Sequence, residues 1–430
     1  MTRRYVLGGG PLFDGHTLYE DGAVLVDDGS IAAVGALEPI RSHHEATFID
    51  VDGRLIVPGL LNAHTHLYSA LATGLQPLGP TTRFGEVLEN LWWPLDAAHD
   101  EESIYYSAMV GLMDHIRSGT TTLFDHHASM NCVAGSLEII AGAVREAGLR
   151  ATLCFETSER TGRRAVGDQI EENIEFFEAH RHDPFVTGTM GLHANLTLGD
   201  VSLAEIADSR PKTMPIHVHV GEGPEDLERS VCDGFEGPID RLHAHHLLDG
   251  DSILVHAIHL SGRDAGLLRE VEPVVVTAPQ SNANNAVGHL APGVVGGYLL
   301  GTDGMTADMV ETLRTQYLLL RTLEEPVEPL ADAFFHRSTA VRRRFFPLTG
   351  TLEVGARADV AVLDYRPITP IDGRTLLAHL VYGARRAVAW TTIVDGRVLY
   401  RDGEFTTLDE ERIRAHARRV AYRLHARFYG

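Results

Sequence analysis

An α/β fold, a (β/α)8 TIM barrel with a small β-sandwich domain built from both chain ends, is what this sequence predicts. Three observations carry it. Eight apolar runs of parallel-strand type follow one another through the middle of the chain, separated by amphipathic segments of helix length. Short strands punctuated by Asp-Gly turns fill both terminal regions. A length of 430 residues suits about three ordinary domains or one large barrel with an appendage, and buries a large core without staples.

The elements follow in chain order. Residues 23–26 and 31–34 flank Asp28-Gly29, and residues 47–51 precede Asp52-Gly53, which is hairpin-rich β structure. The barrel strands are predicted at residues 60–66, 120–125, 151–156, 188–193, 215–220, 252–256, 274–278 and 298–303. Residues 101–118 and 135–148 fit intervening helices, the second ending on the C-cap glycine Gly148. Strand texture returns at residues 359–364, 387–394 and 398–400, and these strands are expected to share the sandwich with the N-terminal ones. Residues 409–428 carry Ile413, Ala417, Val420 and Leu424 at helical spacing, acids first and arginines last, as the helix dipole favours. That helix is expected to pack on the barrel or on a partner. The predicted division is 1–57 and 348–403 for the sandwich, 58–347 for the barrel and 404–430 for the C-terminal helix. Gly8-Gly9-Gly10 lacks the spacing of a dinucleotide loop and reads as a bend.

Composition narrows the function. Lys and Arg total 37 against 59 Asp and Glu, a formal net charge of −22, which argues against nucleic-acid backbones and anionic membranes as partners. Three cysteines in no CxxC pair signal neither a disulfide framework nor a thiolate zinc cage. The N-terminus lacks an apolar targeting core, and nowhere do eighteen apolar residues run together. A cytoplasmic address is therefore expected. Two counts stand out: 24 His and a single Lys, Lys212.

His64 and His66 alternate along a predicted strand, so both imidazoles project from one face, at the end where barrel active sites lie. Alone, HxH is a weak signal. Further strand ends strengthen it: the fifth strand carries His217 and His219 with Glu222 just past its end, His256 ends the sixth and Asp303 ends the eighth. Imidazole and carboxylate converging at four strand ends predict a metal site.

These residues also carry a resemblance. PGLLNAHTHLYSAL at 58–71, HVGE at 219–222, VHAIHLS at 255–261, PQSN at 279–282 and LGTDG at 300–304 resemble the amidohydrolase superfamily, in its aminohydrolase branch of deaminases and chlorohydrolases. The likeness runs to about residue 403. NLWWPLDAAHDEESIYYSAM, DHHAS and CFETSERTG look like the SsnA-type aminohydrolases. The resemblance implies one divalent metal per chain, Zn²⁺ ahead of Fe²⁺, held by His64, His66, His219 and Asp303, with Glu222 and His256 as catalytic partners. It also implies that His193 binds substrate, and a homodimer is the family expectation. Binuclear relatives bridge two metals with a carboxylated lysine ending strand 4. Here Leu192-His193 stands there and Lys212 lies elsewhere, which favours a single metal.

The expected mechanism follows from charge. A divalent ion lowers the pKa of bound water toward neutrality. Asp303 accepts the water's proton, Glu222 protonates a ring nitrogen and later the departing ammonia, and His256 polarises the attacked oxygen. His126 and Trp92 are candidate substrate contacts, with packing as the plainer reading of Trp92 and Trp93. Asp125 suits hydrogen bonds to loop amides, and His217 suits support of a ligand. His43, His44, His243, His245 and His246 read as solvated. Met305 follows Gly304 without the serine of many nucleoside and guanine deaminases, which points away from purine or nucleoside specificity. The expected function is hydrolysis of a C–N bond in a small nitrogen heterocycle, that is, deamination. The alternatives are the same hydroxide chemistry with another leaving group, as in a chlorohydrolase or cyclic-amide hydrolase, and a non-catalytic metal-binding homologue.

Overall fold

The computed structural model describes residues 4–384 and 388–430. Ala387, the start of one predicted sandwich strand, lies outside the described residues, as do residues 1–3 of the N-terminal segment.

Eight parallel steps form the barrel: β1 (Leu60–Thr65), β2 (Thr120–His127), β3 (Arg150–Phe155), β4 (Val186–Gly188 and Met190–Ala194), β5 (Ile216–Val220), β6 (Ile253–His256), β7 (Val274–Thr277) and β8 (Leu299–Leu300). The ladder falls into two sheets, because β4 is interrupted at Thr189: its first part pairs with β3 and its second with β5. Backbone hydrogen bonds span both seams. His193 N donates to Thr157 O at 3.0 Å, while Thr302 N and Asp303 N both donate to His64 O, at 2.9 and 3.0 Å. β8 is shorter than predicted, since residues 301–303 leave the ladder to make this contact. Gly301 permits it: a Cβ there would sit 2.9 Å from both Cβ and O of His64.

The chain ends do meet, in one nine-stranded sheet. Leu55–Pro58 pairs antiparallel with Val360–Leu363, joining the N-terminal strands to Ala389–Val394 and Arg397–Arg401. Its buried face gathers Leu7, Leu12, Val24, Ile56, Val360, Val362 and Ile393. Asp28-Gly29 and Asp395-Gly396 turn with both residues at positive φ, the backbone that tight hairpins require. A buried ion pair, Arg150 Nη1 to Asp359 Oδ2 at 2.5 Å, fastens the start of β3 to this sheet.

Helix Glu410–Tyr429 starts where Asp409 accepts from Arg412 N at 3.0 Å. It settles the choice left by the sequence: Ile413, Ala417, Val420, Leu424 and Phe428 bury against the barrel of the same chain, with Leu112, Ile116 and Leu137 in one cluster. Among the described residues no helix is long and apolar enough to cross a membrane.

Candidate metal and catalytic site

The C-terminal ends of the barrel strands gather the candidate metal ligands and their catalytic partners. Ligand atoms of His64, His66 and His219 lie within 4.8 Å of one another, and all three residues are buried. The outer nitrogens are already engaged. His66 Nδ1 donates to His126 O at 2.5 Å and His219 Nδ1 to His193 O at 2.9 Å; a carbonyl can only accept, so each neutral ring carries its lone pair on Nε2. His64 Nδ1 pairs with His217 Nε2 at 2.9 Å. Nε2 of His64 and Nε2 of His219 then face each other at 3.2 Å. A cation between the rings would draw on both nitrogens.

Asp303 completes the cluster, its Oδ1 2.9 Å from His66 Nε2 and 3.7 Å from His64 Nε2. Burial opposes its charge, yet the two imidazoles beside it hold its carboxyl well below the usual range. Burial likewise works against charge on His66, but the Asp303 carboxylate overrides it and lifts His66 to about 9; on His64 burial, aided by the charges of His66 and His126, outweighs Asp303 and takes the ring down to about 3. His217 sits where the sequence placed it, behind a candidate ligand.

Glu222 and His256 form the other half. Gly221 turns the chain at φ 56°, and Asp226, accepting from Gly221 N at 2.7 Å, pins the turn that presents Glu222. Glu222 Oε2 lies 3.4 Å from His256 Nε2, and Oε1 accepts from Asn285 Nδ2 at 3.2 Å. Burial is the main force raising the Glu222 carboxyl to about 7, with Asp303 adding to it. His256 donates from Nδ1 to Asn282 Oδ1 at 2.7 Å, leaving Nε2 buried and unpartnered, 3.7 Å from Asp303 Oδ2. His256, Ala257 and Asp303 all adopt positive φ.

A cavity of about 570 Å³ opens over these groups. His193 and Trp92 line it, together with His66, His219, Glu222 and Asp303. Trp92 arrives on a single π-helical turn, Leu88–Trp92, within the long segment after β1. The expectation for His126 needs correction. Its ring is wholly buried, with Nε2 against the carbonyls of Leu192 and His217, and it is not among the cavity-lining residues. The ring packs instead against those of His64, His217 and His219. His127 is equally buried, bonded to Ser129 Oγ at 2.9 Å. Asp125 does accept from a loop amide, Leu67 N, at 2.7 Å. Lys212 donates to Ala207 O, on a different segment.

Cavity residues not singled out from sequence include Asp96, Glu156 and Arg160. Glu156 had a signal. It ends the third predicted strand just as His193 ends the fourth.

Residues 55–399 match the profile of the Amidohydrolase family. The chain belongs to that family. This amidohydrolase is 31% identical over 422 residues to a 5-methylthioadenosine/S-adenosylhomocysteine deaminase of Moorella thermoacetica, covering 94% of this chain and 95% of the relative. It shares its fold with a zinc-bound adenosine deaminase from Xanthomonas campestris, at a TM-score of 0.85 and 23% identity over 98% of each chain. Atrazine chlorohydrolase from Arthrobacter aurescens, complexed with zinc, superposes at a TM-score of 0.80 and 21% identity over 97% of this chain and all of that one. The TIM barrel with a small second domain expected from sequence is thus the amidohydrolase fold.

Proposed function

We propose that this amidohydrolase is a metal-dependent aminohydrolase that releases ammonia from a small, planar nitrogen heterocycle. The observation that carries the reading is the pairing of two groups: imidazole Nε2 atoms converging with the Asp303 carboxylate, and beside them a carboxyl, Glu222, raised to about 7. The deaminase names of its relatives support it.

His64, His66, His219 and Asp303 suit one divalent ion, zinc by preference, since three neutral imidazoles and a carboxylate are donors that zinc accepts. Bound there, the ion supplies positive charge that acidifies water and steadies negative charge growing on the attacked ring. Asp303 takes the proton of the attacking water. Glu222 gives a proton from Oε2 to a ring nitrogen and later carries one to the departing amine. A group with a pKa near the working pH does both. His256, tied by Nδ1 to Asn282, keeps Nε2 between the two carboxylates, where it holds the incoming oxygen. Trp92 and His193 border the ring. Ammonia needs a proton to leave and chloride does not, so the placement of Glu222 favours deamination over dechlorination.

The test is elemental analysis combined with an ammonia-release screen over a broad heterocycle panel. Expected are about one zinc per chain and ammonia release that a chelator abolishes and zinc restores. Metal-replete protein that released chloride, or opened rings without ammonia, would overturn the deaminase reading.

A further inference from the structure

The cavity wall beside β3 carries charge that the steps above do not use. Arg160 lies buried between two carboxylates: Nη1 donates to Asp96 Oδ2 at 2.7 Å, Nη2 to Glu156 Oε1, and Nε to Ser158 Oγ at 3.0 Å. A guanidinium has five N–H groups, and these contacts use three, so one N–H on each terminal nitrogen stays free for a ligand in the cavity that Arg160 lines. Asp96 is 1% exposed, and its Oδ1 is buried and unpartnered on the same wall. Beside it, Trp93 Nε1 is a second buried atom without a partner, and the Trp93 ring stacks under the guanidinium with 5.6 Å between Arg160 Cζ and the ring centre. Buried polar atoms left open in this way are costly until a partner arrives.

Donors and an open acceptor therefore stand side by side on one edge of an aromatic slot. We propose that this wall selects the substrate: it takes a ring bearing a lactam or ureide edge, –NH–C(=O)–, with Arg160 donating to the carbonyl oxygen and Asp96 Oδ1 accepting the ring N–H. Glu156 positions Arg160 and leaves its outer N–H groups turned to the cavity. A planar amide edge matches a guanidinium beside a carboxylate. A ribose has no N–H and no planar acceptor for that pair. The inference rests on the aminohydrolase reading for its reaction and on the wall alone for its binding.

Matched probes separate the two. Ammonia release by zinc-loaded protein is compared for isocytosine against 2-aminopyrimidine and for guanine against 2-aminopurine, with adenosine and 5′-methylthioadenosine as the nucleoside arm. Calorimetry compares binding of uracil with pyrimidine. In the unmodified protein, kcat/KM for each oxo ring is expected to exceed its partner by roughly 100-fold or more, because a site built to hydrogen-bond a group rejects the analogue lacking it. In Arg160→Gln that ratio is expected to fall below about tenfold, mainly through KM, and the uracil preference to vanish. Arg160→Lys keeps the charge without the fork and is expected to recover only part of the ratio. Equal handling of the paired rings, preference for the nucleosides, or an unchanged ratio in Arg160→Gln overturns the proposal. Because the paired-ring comparison needs no variant, misfolding of Arg160→Gln leaves it decisive. If no compound released ammonia while uracil still bound in an Arg160-dependent way, the deaminase reading would fall and this one would stand.

Discussion

Replacing Glu222 with Gln should push activity and stability in opposite directions, by amounts the site geometry sets. The carboxyl is held at about 7, against an ordinary value of 4.5, with only 13% of its side chain exposed. The folded protein therefore binds more protons than the unfolded chain between about pH 4.5 and 7. Stability falls as pH rises through that window and levels off above it. A shift of about 2.5 units corresponds to roughly 3 kcal/mol at 1.36 kcal/mol per unit, an upper bound for the cost of the ionised, buried carboxylate. Gln has the same shape and no charge, and its Oε1 can still accept from Asn285. Metal-free Glu222→Gln should thus be more stable than the parent by up to about 3 kcal/mol at pH 8, with the gain shrinking toward pH 5. Losing the proton carrier should lower kcat by roughly 10²- to 10⁴-fold, about 3–5 kcal/mol of barrier, while zinc stays near one per chain. Urea denaturation at pH 5.5 and 8, elemental analysis and ammonia release measure all three. A stability difference that did not change with pH, or turnover within threefold of the parent, would refute the reasoning.

Three further outcomes follow from the same geometry. Because Asp303 holds His66 at about 9, metal must displace a proton; zinc binding at pH 7.5 should release about one proton in buffers of different ionisation enthalpy, and affinity should rise with pH toward 9. His217→Ala removes the partner of His64 Nδ1 without touching the cavity, and should weaken zinc binding by roughly 10- to 100-fold in chelator competition. Gly301→Ala would place a methyl 2.9 Å from His64 Cβ and backbone O, so it should cost about 1–3 kcal/mol and lower zinc content together, read by denaturation and elemental analysis.

Much of the architecture was legible in the sequence because parallel strands buried on both faces are written as continuous apolar runs. Every predicted barrel strand overlaps an observed one, and the His-x-His pairs at 64/66 and 217/219 announced their shared faces by period two. The Asp-Gly turns were legible for a similar local reason, since both of their residues need positive φ. The lone Lys212 sufficed to disfavour a lysine bridge. Local pattern could not say which side chains reach the cavity. His126 directly follows the second predicted strand and His193 ends the fourth, yet one is buried away from the cavity and the other lines it. Asp96, Glu156 and Arg160 come from different segments after β1 and β3 and become a group only when the long loop folds over the barrel mouth. The raised Glu222 carboxyl and the facing nitrogens of His64 and His219 have the same origin: burial and through-space contact between residues more than thirty or a hundred positions apart. Sequence by itself determined the elements and the chemical inventory of this protein, since those follow from short-range periodicity and residue type. The tertiary structure decided protonation, depth and which charges meet, since those depend on the dielectric and the neighbours that only packing supplies.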